Sequence, residues 1–170
     1  MKVLNVHERR LAATPDAVGE LIDSLASSDD RLWPRKAWPS MRFDRPLGVG
    51  AVGGHGPIRY TVVEYLPGVC VRFRFDAPRG FHGTHRYEWE AVEGAVVLAH
   101  VLEMETRGLA TVTWPIFYRP LHDALIEDSL AVAQRSLRLA PERHPWSVRV
   151  RALRRIVGRG RARSQSELFA

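Results

Sequence analysis

The chain has 170 residues, 45% of them hydrophobic and 26% charged, which is enough for one core or one walled cavity and short for two domains. No apolar run approaches the roughly 20 residues that span a bilayer. The stretch from Met1 to Arg10 lacks the apolar centre of a secretion signal, so a cytoplasmic protein is expected, and the single cysteine, Cys70, excludes an internal disulfide. The formal charge of +6 is uneven: nine arginines against Glu142 and Glu167 lie beyond residue 137, leaving residues 1–137 at −1.

Residues 3–12 alternate loosely and predict a first strand. Thr14-Pro15-Asp16 is a helix start, with a capping hydroxyl, a proline suited to the first turn and an acid suited to the dipole. Val18, Leu21, Ile22 and Leu25 then recur at i, i+3, i+4 and i+7 as one apolar stripe. Ser27 to Asp30 ends that helix, and a second short helical turn through Arg31, Leu32 and Trp33 is expected before Pro34 and Pro39.

The stretch from Gly48 to Gly56, GVGAVGGHG, puts five glycines in nine residues, a composition that suggests a phosphate loop. Such a loop needs a buried strand before it and a helix after it. Here a short proline-broken segment precedes, and Ile58 to Tyr65 follows with the β-branched and aromatic rhythm of a strand. The glycines therefore predict a bend or a close backbone approach. No nucleotide or other cofactor is expected.

From Met41 to about Thr106 strand follows strand, with turn signals at Pro67-Gly68, Pro78-Arg79-Gly80 and Glu93-Gly94. Val71, Phe73 and Phe75 alternate with Arg72, Arg74 and Asp76, and His85, Tyr87, Trp89 and Ala91 alternate with Arg86, Glu88 and Glu90. Each strand has one dry face, as in an antiparallel meander covered on one side. From Ala95 to Thr106 the parity is ambiguous. A long helix is predicted from Pro115 or Pro120 to about Leu139, its apolar face made by Leu125, Ile126, Leu130, Ala133 and Leu137.

The order of strand, two short helices, strands and long helix resembles the helix-grip fold of the SRPBCC superfamily, which includes START-type domains, birch-pollen-allergen-like proteins and polyketide cyclases and dehydrases. The residues that carry the likeness are Gly54 to Gly68, Val71 to Phe75, Gly83-Thr84-His85 and Arg119 to Leu125. The resemblance implies an α+β domain over residues 1–140, in which a curved antiparallel sheet of six to seven strands wraps a C-terminal helix and leaves a cavity. Residues 141–170 stand outside it as an arginine-rich tail.

In that frame Tyr60, Phe73, Phe75, His85, Tyr87, Trp89, Met104, His122 and Leu125 are the expected lining of a pocket for a small hydrophobic or amphipathic molecule. His85 and Tyr87 are the first candidates for proton transfer, with Glu64 a further carboxylate, should the domain be an enzyme of the cyclase kind. His82 and His85 lie three apart on a strand and so face opposite sides; no metal is expected. In the tail, Trp146, Val150, Leu153 and Val157 fall at helical spacing among Arg149, Arg151, Arg154 and Arg155. That pattern fits either a segment docked on its own protein or a basic helix on an anionic membrane surface. Nucleic acid is not expected, since no reader motif accompanies the arginines.

Overall fold

In a computed structural model, which describes residues 1–156, β1 (Lys2–Leu11) is followed by α1 (Pro15–Asp23) and six further strands. These are β2 (Arg42–Phe43), β3 (Val52–His55), β4 (Ile58–Leu66), β5 (Cys70–Ala77), β6 (Phe81–Val92) and β7 (Ala95–Thr106). The sheet has seven strands in the order β1-β7-β6-β5-β4-β3-β2, all neighbours antiparallel. It is a meander closed by β1, which pairs with β7 from Lys2 opposite Glu105 to Leu11 opposite Val96. Val157 and everything after it lie outside the described residues.

Local chemistry explains the elements. Thr14 Oγ1 accepts from the Ala17 N–H at 3.3 Å and Pro15 occupies the first turn of α1, whose Val18, Leu21 and Ile22 are buried in the main core. No second helix forms after it. The Asp30 carboxylate instead accepts from the backbone N–H groups of Ala26, Leu32 and Trp33 at 2.7–3.0 Å, so residues 24–40 run as turns. Acceptance from the amides two and three residues on is a capping pattern, but Pro34 has no N–H to offer the Asp30 carbonyl four residues back, so the turn does not continue as a helix.

The parity of β7 resolves with Val96, Leu98, His100, Leu102 and Met104 inward. On β1 the inward set is Asn5, His7, Arg9 and Leu11, while Leu4 and Val6 are exposed. The inward face of this strand is therefore mostly polar.

Helical structure begins at residue 110, earlier than the prolines suggested: α2 (Ala110–Thr113) leads through a π-helical turn (Trp114–Tyr118) into α3 (Arg119–Ser136). Pro120 has no N–H to offer the Ile116 carbonyl four residues back. That carbonyl accepts instead from Arg149 Nη2 at 2.6 Å, so the break in the helix is closed by the tail. The last described helix, α4, covers residues 148–156 and buries Val150.

The glycine stretch becomes the approach to β3 and the strand itself. A Cβ on Gly54, at φ +153°, would lie 2.0 Å from the Ile58 carbonyl oxygen, so only glycine lets β3 and β4 close into their tight hairpin. Gly50, at φ +86°, has nothing within 4 Å of the same position. Gly54→Ala is expected to destabilise the fold by at least about 2 kcal/mol, from backbone strain and the clash together, and Gly50→Ala by about 1 kcal/mol from positive φ alone. Urea unfolding of the two variants at pH 7 checks the ordering.

Candidate functional site

Between the inward face of the sheet and α3 are two adjoining spaces that share His55, Ile58, Tyr118 and Leu125. The inner chamber, about 60 Å³, is walled by Phe75, Phe81, Leu102, Trp114 and Ile126, with His85, His100 and His122 among them. The outer one, about 320 Å³, is bounded by Trp38, Pro39, Pro57, Phe117, Leu121 and Arg154. The π-helical turn contributes Trp114, Phe117 and Tyr118 to these walls, an irregularity of the kind that often marks a functional site.

Imidazoles and one phenol form a line through this interior. Ring centroids are separated by 5.1 Å for His122 and His100, 5.4 Å for His100 and His85, 4.9 Å for His85 and Tyr60, and 5.8 Å for Tyr60 and His55. His85 is stacked between Phe73 and Phe75 at 4.8 and 4.9 Å. Burial disfavours the charged ring at every point, aided by the neighbouring histidines: it pushes His55 down to about 3, His85 and His100 well below 6.5, and His122 downward. At neutral pH the interior histidines are therefore uncharged.

His85 Nδ1 and His100 Nε2 are 3.2 Å apart, and the other nitrogen of each ring is buried with no hydrogen-bond partner among the described residues. Two neutral imidazoles sharing one hydrogen bond have only two arrangements. If His85 donates, its Nε2 is a bare acceptor and His100 Nδ1 carries a proton; if His100 donates, the roles reverse. Either way the pair offers one unused donor and one unused acceptor. Exchanging the tautomers moves a proton across the pair without creating charge.

The structure brings together some of the residues singled out in the sequence and separates others. Phe75, His85, His122 and Leu125 line the chamber. Tyr60 and Phe73 are fully buried behind His85, and Tyr60 reaches the site only through its hydroxyl, 3.1 Å from His55 Nδ1. Tyr87 packs edge-on to His100 at 4.7 Å but is absent from the chamber wall. Its hydroxyl meets Ser129 Oγ at 2.9 Å, and because Ser129 donates its one proton to the Leu32 carbonyl, Tyr87 is the donor. Burial drives its pKa well upward, and its proton is held on Ser129.

Trp89 binds the Gly68 carbonyl at 2.6 Å away from both spaces, and Met104 belongs to a small cluster with Phe81 and Trp114. Glu64 pairs with Arg72. His82 is exposed, on the face opposite His85. His55, hidden among the glycines, and His100, on a strand of ambiguous parity, acquire their importance only from the fold.

The tail is part of the mouth. Arg154 stacks on Trp146 at 3.7 Å and on Trp38 at 4.4 Å and donates to the Ala37 carbonyl. Both indole N–H groups bind Asp128 Oδ2, at 2.7 and 2.9 Å. Although the tail was expected to stand outside the helix-grip domain, its Arg154 lines the outer cavity.

No protein-family model matches the sequence, and no curated protein does either. Solved structures match: the di-domain ARO/CYC protein StfQ of the steffimycin biosynthetic pathway superposes with a TM-score of 0.58 at 13% identity, over 79% of this chain and 50% of that one. The chain thus spans half the length of StfQ. CalU16 from Micromonospora echinospora gives 0.57 at 11% identity over 94% of each chain, and Ara h 8.0201 gives 0.54 at 14% identity over 81% of this chain and 99% of that one. With its seven-stranded sheet laid against α3, the chain has the helix-grip fold of the SRPBCC proteins. Among the described residues no helix is long and apolar enough to cross a membrane.

The buried histidines set a pH dependence of stability. Their folded pKa values lie below the ordinary 6.5, so below pH 6.5 the unfolded chain takes up protons that the folded chain refuses, and stability falls as pH falls. Each contributes a slope of up to about 1.4 kcal/mol per pH unit between 6.5 and its folded value. Urea unfolding between pH 8 and 5 is expected to show this loss, with a shallower slope in His100→Leu.

Proposed function

We propose that this protein binds a small, mostly aromatic molecule carrying a carbonyl or hydroxyl group, in the cytoplasm, with its polar end on the His85–His100 pair and its body in the outer cavity. The observation that carries this reading is a pair of buried, uncharged imidazoles with one spare donor and one spare acceptor, in walls otherwise made of Phe75, Phe81, Leu102 and Trp114. Buried polar groups normally find partners, and a ligand oxygen supplies one. The outer volume of about 320 Å³ is at the small end for ligand pockets, which favours two or three rings over a long acyl chain.

A second reading, catalysis of the polyketide cyclase or dehydrase kind, is favoured by the same pair and by the likeness to StfQ. In a dehydration, one free nitrogen takes the proton beside a carbonyl while the other delivers a proton to the departing hydroxyl, which leaves as water. The shared proton shifts between the rings, and both stay neutral. General acid–base action of this sort needs no charged intermediate on the protein. The anionic-membrane reading of the tail is weakened by where its arginines go: Arg149 binds the Pro115 and Ile116 carbonyls and Arg154 the tryptophans, which leaves Arg151 and Arg155 facing outward.

Titration calorimetry with 2-naphthol and naphthalene separates recognition from simple burial. The phenol is expected to bind about ten-fold more tightly, the value of one good buried hydrogen bond, and His85→Leu with His100→Leu should erase the preference while keeping naphthalene binding. Leu125→Trp, which fills the wall shared by both spaces, should abolish binding of both. A wild-type protein that takes up neither compound overturns the reading; loss of water from a β-hydroxy ketone, abolished by the same histidine changes, would establish the catalytic one.

A further inference from the structure

The wall between β1 and α3 holds a second cluster, distinct from the His85–His100 pair. His7 Nε2 lies 3.3 Å from Asp123 Oδ1, and His122 Nδ1 lies 3.6 Å from the same oxygen. One ligand atom from each of the three residues falls within 4.8 Å of the other two. Ligands arranged tetrahedrally at the bond lengths usual for zinc are about 3.4 Å apart, so two of the three separations already match that edge.

The surroundings point the same way. His7 Nδ1 is 2.7 Å from Glu127 Oε1, so an Nδ1 proton donated to that carboxylate leaves the Nε2 lone pair facing Asp123. This is the carboxylate–histidine–metal arrangement that fixes a ligand's tautomer. Asn5 donates to Asp123 Oδ1 at 2.9 Å and holds the carboxylate in place. Three buried polar atoms at this point have no hydrogen-bond partner among the described residues: Asn5 Oδ1 and both nitrogens of His122. A proton shared between His7 and its two carboxylates accounts for Asp123 and Glu127 but leaves His122 unanswered. A cation answers both.

We propose that His7, His122 and Asp123 form a three-ligand site for a divalent first-row transition ion such as Zn²⁺, oriented by Glu127. The fourth position falls to water or to a molecule in the inner chamber, whose wall His122 also forms. Three protein ligands with one position open is the pattern of sites that act on a bound molecule, whereas structural zinc is usually closed by four.

The test uses the untagged full-length protein, stripped with chelator and titrated with Zn²⁺ by calorimetry. Binding of one ion per chain is expected, with X-ray absorption of the zinc-loaded protein showing two imidazoles and oxygen. His7→Gln and Asp123→Asn should each weaken binding about 100-fold or more, and Glu127→Gln about 10- to 100-fold at unchanged stoichiometry. His82→Gln, on the outer face, should leave affinity as it is. The absence of one-to-one binding, an affinity unmoved in His7→Gln and Asp123→Asn, or an absorption spectrum showing sulfur or fewer than two imidazoles overturns the proposal. The absorption spectrum decides on the wild-type protein even where a variant fails to fold.

Discussion

The position of α3 rests on a polar seam. Arg9, 5% exposed, pairs with Glu127 at 2.7 Å, His7 sits between Asp123 and Glu127, and Asn5 donates to Asp123. A buried guanidinium is costly unless paired with good geometry, so these contacts admit few alternative placements of the helix against β1. Two residues past Glu127, Ser129 ties the same helix to Tyr87 and to the Leu32 carbonyl. Held at the seam and at this pin, α3 keeps a set distance from the sheet, and the chamber is the space that remains over β6 and β7.

The seam and the chamber use histidine in opposite ways because their neighbours differ. For His7, burial works against the charged form, but hydrogen bonds and charge from Asp123 and Glu127 outweigh it and raise its pKa. Asp123, penalised by burial, is nevertheless pulled down by His122, His7 and Asn5. His85 and His100 have no carboxylate beside them and are driven neutral. His122 touches both regions: its ring is 6.0 Å from His7 and 5.1 Å from His100. The interior thus passes from an ionic edge to an uncharged centre along a row of the same residue type.

Much of the architecture was legible in the residues because local chemistry agreed with the fold. Thr14 caps α1, the alternation on β5 and β6 sorts their faces, and Leu125, Ile126 and Leu130 mark the buried side of α3. The exceptions have particular causes. Asp30 caps the amides of Leu32 and Trp33 as at a helix start, but Pro34 has no N–H to carry the turn on. On β7, Ala99 and Val101 are 8% and 7% exposed although they face outward, shielded on a strand with neighbours on both sides, so both parities look dry. The site was less visible than the fold. His55 and His100 matter through partners 5 and 15 residues away, and the contribution of Arg154 depends on a return of the chain across 117 residues to Ala37.

The inverted polarity of β1 bears on how the chain chooses among folds. Shifting β1 by one residue along β7 would turn every side chain to the other face, burying Leu4 and Val6 and expelling Arg9. By hydrophobic burial alone that slipped sheet roughly matches the native one, since it would exchange Val3 and Leu11 on the inner face for Leu4 and Val6, which are 67% and 45% exposed as the strand now stands. What counts against it is charge: in either direction of slip Glu8 would take the place of His7 or Arg9 and meet the carboxylates of Asp123 and Glu127 on α3, which those two residues now pair with. Charge complementarity, not greasiness, therefore selects the register of the edge strand.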